Sequence, residues 1–130
     1  MAVKETLPVG LVHVRSEKGK WGLVEIAWAL DLDLNIQGFH FQRCRDKRKA
    51  SLEEQTFTSQ IIGKGLPALR LMLSEDALSL NTNRISVPKG SEALALTVLR
   101  SAMKTITVTD IVWSEDLKVL RTMAEAKSRQ

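Results

Sequence analysis

The segment 37–50, which reads QGFHFQRCRDKRKA, combines aromatic rings with the densest positive charge of the chain. Two of the three phenylalanines, Phe39 and Phe41, flank His40. Aromatic side chains stack on bases, while guanidinium and ammonium groups bind phosphates. This combination predicts contact with nucleic acid through eight residues: Phe39, His40, Phe41, Arg43, Arg45, Lys47, Arg48 and Lys49.

The charge of the chain is concentrated in this one place. Residues 42–50 contain five basic residues and one acidic residue, Asp46, which together equal the net charge of +4 of the whole chain. Acidic and basic residues are equal in number elsewhere. A focused positive patch attracts polyanions more strongly than the same charge spread evenly. The pattern therefore favours an anionic partner, and the alternative is a solvated loop whose charge has no specific role.

Gly38, Phe39 and Phe41 resemble the glycine-aromatic-x-aromatic core of the first ribonucleoprotein motif of RNA-recognition domains. Cold-shock domains carry a similar stretch. The resemblance implies aromatics on a strand that stack on bases, with basic neighbours at the phosphates. Because His40 and Gln37 depart from the motif, the resemblance concerns a shared physical device and not membership of the family. The alternative is that both phenylalanines are core residues, as most are.

A second group with possible chemistry is the pair Asp31 and Asp33 in the stretch WALDLDLN. Asp-x-Asp on an apolar strand resembles the metal-binding motif of archaeo-eukaryotic primases and some nucleotidyltransferases. The resemblance implies Mg²⁺ held for phosphoryl transfer. Such a site needs a third carboxylate, and Glu25 on the same face is too far along the strand. A Mg²⁺-dependent nucleotidyl-transfer enzyme is therefore the less favoured alternative, and we expect no catalytic activity, metal or cofactor.

The single cysteine and the two histidines do not suggest a further site. Cys44 has basic neighbours that could lower its pKa, but no histidine or aspartate is spaced as in a nucleophilic triad. One cysteine with His13 and His40, which are distant in sequence, is too few ligands for structural zinc.

The elements that would position these residues begin with a strand pattern. Residues 24–36 alternate apolar and polar side chains with period two, which predicts a long bent strand or two strands joined by a tight turn. The phase reverses at Gly38. A β-bulge there would keep Phe39 and Phe41 in the core, whereas an unbroken ladder would place them on the polar face.

The remaining chain predicts further strands and two helices. A hairpin with its turn at SEKGK precedes the long pattern, and further strands are expected at 55–62, 69–73, 78–80, 85–87 and 105–113. Helices are expected at 90–104, capped by Ser91, and at 114–130, capped by Ser114. The fold class is therefore α+β, with a curled antiparallel β-sheet of about six to eight strands and two helices in the C-terminal third.

Size and composition predict one domain over residues 1–130, with a flexible basic loop near 44–54. The N-terminal stretch lacks the apolar core of a signal peptide, and no uncharged run approaches the roughly 20 residues of a membrane span. We therefore expect a cytoplasmic protein. A homodimer is expected because a long alternating strand invites edge pairing and because the C-terminal helix adds apolar surface.

Two partner classes fit these expectations. The first is single-stranded or structured DNA or RNA. The Whirly proteins, which bind single strands, resemble the expected fold in combining curled antiparallel sheets with packed helices, and they oligomerise. The second is an acidic protein surface. The chain would then be a non-catalytic protein-interaction module, such as an adaptor, an immunity protein or a phage-type inhibitor.

Overall fold

The fold combines an antiparallel sheet in the first third of the chain with helices in the rest. The computed structural model describes residues 2–4, 7–19 and 22–128. The strands are β1 (Ala2–Lys4), β2 (Leu7–Gly19), β3 (Gly22–Leu30) and β4 (Ile36–Arg43). The helices are α1 (Lys49–Leu52), α2 (Gln55–Ile61), α3 (Leu66–Leu71) and α4 (Glu92–Ser128).

The sheet is an antiparallel meander in the order β1-β2-β3-β4. Its three long strands are in register, so that His13 on β2 lies opposite Trp28 on β3, and Trp28 lies opposite Phe39 on β4. The even-numbered residues of β3 from Val24 to Leu30 are buried, because they face the helices. The sheet therefore has one covered face and one open outer face, which includes the exposed side chain of Val12.

The period-two pattern at 24–36 corresponds to two strands and a tight turn, which was one of the two predicted alternatives. β3 ends at Leu30, residues 31–35 form the turn, and β4 begins at Ile36. The Asp31 carboxylate closes the turn by accepting hydrogen bonds from the backbone amides of Asp33 and Asn35, each at 2.9 Å. The predicted hairpin before β3 is also present. Gly19 pairs with Gly22, and the residues between them lie outside the described ranges.

A bulge precedes Gly38, as the change of phase suggested. Leu30 pairs with Ile36 and Ala29 with Gly38, so Gln37 is an extra residue in β4. The bulge turns Phe39 and Phe41 toward the helices. Phe41 is 5% exposed, and the half-buried Phe39 packs on the core. The sequence left open whether these rings are core or surface, and in the structure they belong to the core.

The expectation of six to eight strands with two C-terminal helices is wrong. The described chain has four strands, all before residue 44, and four α-helices. Residues 55–61 are helical, 69–71 end α3, and 105–113 lie inside α4. The residues at 73 and 80 form only an isolated bridge, and residues 85–87 are not in a strand. The class is α+β, but the sheet is small and open.

The β-branched segment 105–113 is helical because its polar groups are satisfied within the helix. The Thr105 hydroxyl donates to the Ser101 carbonyl at 2.8 Å, and the Thr109 hydroxyl donates to the Thr105 carbonyl at 2.6 Å. Both threonines are buried on the face of α4 that packs on the protein. Tertiary packing outweighs the weak β propensity of these residues.

One helix of 37 residues replaces the two that were predicted. At 1.5 Å per residue α4 is about 55 Å long, longer than a small domain is wide. It begins at Glu92, directly after Ser91 as predicted, whereas Ser114 lies within the helix and not at a start. No helix in the described ranges is both long and apolar enough to cross a membrane.

The first half of α4 covers the sheet, and the core lies between them. Leu94, Val98 and Leu99 are buried there, together with Trp28 of β3. The indole Nε1 of Trp28 donates to the Ser101 hydroxyl at 3.0 Å, which ties the helix to the central strand. Farther along, Arg121 Nε donates to the Leu32 carbonyl at 2.7 Å. The β3–β4 turn is thereby attached to the second half of α4.

Candidate nucleic-acid interface

The basic segment is anchored to the rest of the fold through Asp46. This carboxylate is buried, accepts a hydrogen bond from the Arg48 amide at 3.0 Å and lies 3.5 Å from the Arg48 guanidinium. A short helix, α1, follows, and the Ser51 hydroxyl lies 2.9 Å from the Ser91 hydroxyl. The segment predicted as a flexible loop at 44–54 thus contains a hydrogen-bonded turn and a helix, placed at the beginning of α4.

Cys44 lies at the start of this segment, and its environment differs from the one expected. Burial raises the pKa of the Cys44 thiol above its ordinary value, and the nearby carboxylates of Asp46 and Glu53 act in the same direction. The Lys49 ammonium opposes this effect but does not overcome it. A basic neighbour thus does lower the pKa of Cys44, as the sequence suggested, but the net shift is upward because burial has the larger effect. A protonated thiol is a weak nucleophile, so the geometry gives no support to chemistry at Cys44.

The three aromatic residues of the opening segment do not form one surface. The Phe39 ring packs against Trp28, Phe41 and Phe57, with ring centroids 5.2, 5.8 and 6.5 Å apart. His40 is exposed on the outer face of the sheet, opposite Ala27. Base stacking on Phe41 is incompatible with its burial, and Phe39 already has aromatic neighbours.

The basic residues of the segment also divide between two places. Arg43 lies opposite Glu25 on the outer face of the sheet. Arg45 faces the beginning of α4, while Lys47 and Arg48 are exposed on the turn that leads to α1. Lys49, the first residue of α1, is half-buried. The structure therefore separates Arg43 and His40 from the other four basic residues.

Arg45 lines a small cleft together with a lysine that is distant in sequence. The cleft has a volume of about 70 Å³ and lies between the β2–β3 hairpin and the first turns of α4. Lys18 of β2 lines it together with Arg45 and the buried Asp46, and Ala93 and Thr97 of α4 form its wall. The positive end of the dipole of α4 adds to the potential there, although Glu92 in the first turn opposes it.

A second cleft of about 190 Å³ continues along the same side of α4. Lys18 and Thr97 line both clefts, and Arg100 and Lys104 are added in the second. Lys104 donates to Glu17 at 3.0 Å, so part of its charge is neutralised. Arg100 is exposed and has no acidic partner among the residues that the structure describes. We refer to the line Arg45, Lys18, Arg100 and Lys104 as the basic groove.

Sequence reasoning missed three of the four residues of the basic groove. Lys18, Arg100 and Lys104 lie outside residues 42–50, in the rest of the chain, where acidic and basic residues are equal in number, so the net-charge count gave no signal for them. The one available signal was the spacing of Arg100 and Lys104, because residues four apart share one face of a helix. The position of Lys18 beside them depends on the packing of β2 against α4, which the sequence pattern does not reveal.

The Asp31 and Asp33 pair is built into the turn and does not form a metal site. Besides the two backbone amides, Asp31 accepts a hydrogen bond from the Gln37 side chain at 3.1 Å. Asp33 is exposed and lies 3.6 Å from Arg121 Nε. The expectation that both aspartates share one face of a strand is wrong, because both lie after β3 ends. Among the described residues, no three histidine, cysteine or carboxylate side chains are grouped to hold a metal ion.

A further cleft of about 340 Å³ lies beside this turn, and none of the eight residues predicted to contact nucleic acid lines it. Arg70 and Arg121 line it together with Asp33 and Asp110, so its charges are mixed. It has as many carboxylates as cations, whereas the basic groove has four cations against the carboxylates of Asp46 and Glu17, so this cleft attracts a polyanion less. Its residues are therefore useful as controls for the basic groove.

No known protein family model matches this chain, and no curated protein matches its sequence. The functional proposal rests on the charge and geometry of the described residues.

Proposed function

We propose that this protein binds single-stranded or structured nucleic acid through phosphate contacts along the basic groove and the adjoining segment 45–49. The observation that carries the proposal is that Lys18 lines two neighbouring clefts, with Arg45 in one and Arg100 in the other. Cations from a strand, a loop and a helix thus follow one line on the surface. A nucleic-acid backbone presents phosphates in such a line, whereas a small anion needs only one or two of these groups.

Binding of this kind depends on phosphates more than on bases. Phosphate contacts fix the position of a nucleic acid but carry no sequence information. The rings of Phe39 and Phe41 are engaged in the core, which leaves His40 as the exposed ring of the opening segment. We therefore expect strong dependence on salt and little dependence on base sequence, without catalysis and without a cofactor.

The test is a fluorescence-anisotropy titration of labelled single-stranded DNA, single-stranded RNA and duplex at several salt concentrations. The groove variant carries Lys18→Gln, Arg45→Gln and Arg100→Gln. If all three cations contact phosphates of a single strand, the log–log salt slope should fall by about 2, since each contact contributes roughly 0.7. Affinity at low salt should fall about tenfold or more.

A matched control separates local contacts from the loss of net charge. The control variant carries Lys64→Gln, Arg70→Gln and Arg84→Gln, which also removes three exposed basic side chains but none in the basic groove. We expect its affinity and salt slope to stay close to those of the wild type. Equal losses in the two variants, or no binding by the wild type at low salt, would contradict the proposal.

The second candidate is the protein-interaction module. It is favoured by the open outer face of the sheet, where Val12 and Val14 are half exposed next to Ala27 and Ala29. In this case the basic segment would contact an acidic protein surface. Polyglutamate is the discriminating competitor. If the groove matches a phosphate backbone, polyglutamate should displace nucleic acid only weakly. If the natural partner is an acidic protein, polyglutamate should itself bind well and displace nucleic acid.

The cytoplasmic location and the homodimer also remain proposals. Edge pairing, one of the two reasons for a dimer, loses support because the beginning of β4 is covered. The Ile36 amide donates to the Lys64 carbonyl at 2.8 Å, and the Gly63 amide donates to the Ile36 carbonyl at 2.6 Å. The bulges in β4 also interrupt an edge for pairing. The apolar surface of the C-terminal helix is the remaining reason.

A further inference from the structure

The mixed-charge cleft beside the β3–β4 turn contains one cation and one anion that the fold does not use. This cleft of about 340 Å³ lies between the turn, α3 and α4, and we call it the turn cleft. Arg70 of α3 and Asp110 of α4 line it, and both are exposed. Among the residues that the structure describes, no ion pair or side-chain hydrogen bond engages either of these two charges.

The other two charged residues of the turn cleft hold the fold together. Arg121 Nε donates to the Leu32 carbonyl at 2.7 Å and lies 3.6 Å from the Asp33 carboxylate. These contacts attach the turn to α4, and the two opposite charges offset each other. The charges that remain for a ligand are therefore the Arg70 guanidinium and the Asp110 carboxylate.

Besides its charges, the turn cleft has an apolar surface. Leu34 of the turn and Ile106 of α4 line it and are buried. Leu66 is half-buried, and Ile111 is 73% exposed. An apolar group that covers Ile111 would remove it from water, which is favourable. Small-molecule sites combine such a surface with a few polar groups in volumes of about 300–1,000 Å³, and the turn cleft lies within this range.

We propose that the turn cleft binds a free α-amino acid with an apolar side chain. The carboxylate of the ligand pairs with Arg70, its ammonium group pairs with Asp110, and its side chain covers Leu66 and Ile111. A simple anion would leave Asp110 without a partner, and a simple cation would leave Arg70 without one. An uncharged ligand would displace water from both charges and compensate neither. Of these classes of ligand, only a zwitterion satisfies both charges.

The first experiment measures the binding of radiolabelled L-leucine by equilibrium dialysis, with unlabelled compounds as competitors. N-acetyl-L-leucine has no ammonium group, L-leucinamide has no carboxylate, and glycine has both charges but no apolar side chain. We expect each of the three to compete at least about tenfold more weakly than L-leucine, because each lacks one of the proposed contacts.

Two outcomes of this experiment would overturn the proposal. A site for the end of a peptide would bind N-acetyl-L-leucine or L-leucinamide as well as L-leucine or better, because a peptide terminus carries only one of the two charges. A wild type that binds none of L-leucine, L-valine and L-phenylalanine at millimolar concentration would show that the turn cleft is not an amino-acid site.

The second experiment assigns each charged group of the ligand to its residue. Arg70→Gln should bind L-leucine about as weakly as the wild type binds L-leucinamide, and Asp110→Asn about as weakly as the wild type binds N-acetyl-L-leucine. The controls Arg84→Gln and Asp116→Asn remove the same charges from exposed residues outside the turn cleft, and they should bind like the wild type.

Equal losses in the controls, or unchanged binding in Arg70→Gln or Asp110→Asn, would contradict the assignment. Circular dichroism spectra of all four variants verify that the fold is intact. Because no nucleic acid is present and no residue of the basic groove is changed, these results are independent of the proposed function.

Discussion

Single aspartates in the two stretches that the sequence suggested as functional have structural roles. Asp31 accepts two backbone amide hydrogen bonds and closes the β3–β4 turn. Asp46 accepts one from the Arg48 amide and shapes the basic segment. Aspartate is favoured in turns for this reason, because its side chain bonds to the backbone two residues on. An Asp-x-Asp spacing can therefore indicate either a metal site or a turn closed by aspartate, and the sequence alone does not distinguish the two.

At the residue scale, the hydrogen bond between Trp28 and Ser101 should contribute measurably to stability. Both side chains are fully buried, so Ser101→Ala leaves the indole N–H without a partner. An unsatisfied buried donor costs about 1–3 kcal/mol. Alanine regains a few tenths of that through its higher helix propensity. We expect a net loss in the free energy of unfolding of about 1–2 kcal/mol, measured by urea denaturation.

A double-mutant cycle with Trp28→Phe isolates the hydrogen bond from the loss of packing. In the phenylalanine background there is no donor, so Ser101→Ala should cost less by about 0.5–2 kcal/mol. The helix-propensity gain is the same in both backgrounds and cancels. If Ser101→Ala has the same effect in both backgrounds, the bond does not contribute to stability.

At the element scale, the alternation of apolar and polar residues predicted a strand reliably where one face of that strand is buried. It located β3, whose burial follows period two, whereas a bulge interrupts the period in β4 and the alternating valines of β2 lie on the exposed face. The alternation did not show that β3 ends at Leu30, because the pattern continues through the turn. Leu34 has a φ of 64° and is buried, so it continues the apolar series although it is not in a strand.

The helices were harder to predict because their signals are local and weak. α1, α2 and α3 have four to seven residues, too few for a helical period to be visible. α4 contains a β-branched segment whose buried threonines bond to the helix backbone. In each of these places packing determines the structure, and a single sequence contains little information about packing.

Two glycines in the sheet provide a matched prediction at this scale. A Cβ atom on Gly10 would collide with the Leu30 carbonyl oxygen, which is backbone and cannot turn aside. A Cβ atom on Gly38 would meet nothing within 4 Å, and the φ of Gly38 is not in the left-handed region. We expect Gly10→Ala to reduce the free energy of unfolding by about 1–3 kcal/mol. Gly38→Ala should be neutral or stabilising by up to about 1 kcal/mol.

Chemical denaturation of both variants under identical conditions tests this difference. The two substitutions add the same methyl group to strands of one sheet, so strand propensity is closely matched between them. If Gly38→Ala reduces the free energy of unfolding more than Gly10→Ala does, then Gly10 does not approach the Leu30 carbonyl as closely as described.

Whole-molecule stability should depend on pH through His13. Its side chain lies on the helix-facing side of the sheet opposite Trp28 and is half-buried. Burial lowers the pKa of His13, and the positive charge of Arg15 lowers it further. In the unfolded chain the imidazole titrates near its ordinary pKa of about 6.5. As the pH falls below that value, the unfolded state takes up a proton before the folded state does.

The contribution of His13 to the free energy of unfolding should therefore be constant above about pH 6.5. It should decrease as the pH falls toward the lowered pKa of His13. His13→Gln should flatten this decline between about pH 5 and 7, measured by urea denaturation at each pH. His40→Gln is the control, because His40 is exposed on the outer face. Asp76 does not contribute in this window. Its pKa is lowered by the Ser74 hydroxyl, so it affects stability only near and below the ordinary aspartate pKa of about 3.9. An unchanged decline in His13→Gln would show that another group causes it, and a wild type that gains stability in this window would contradict the direction of the His13 shift.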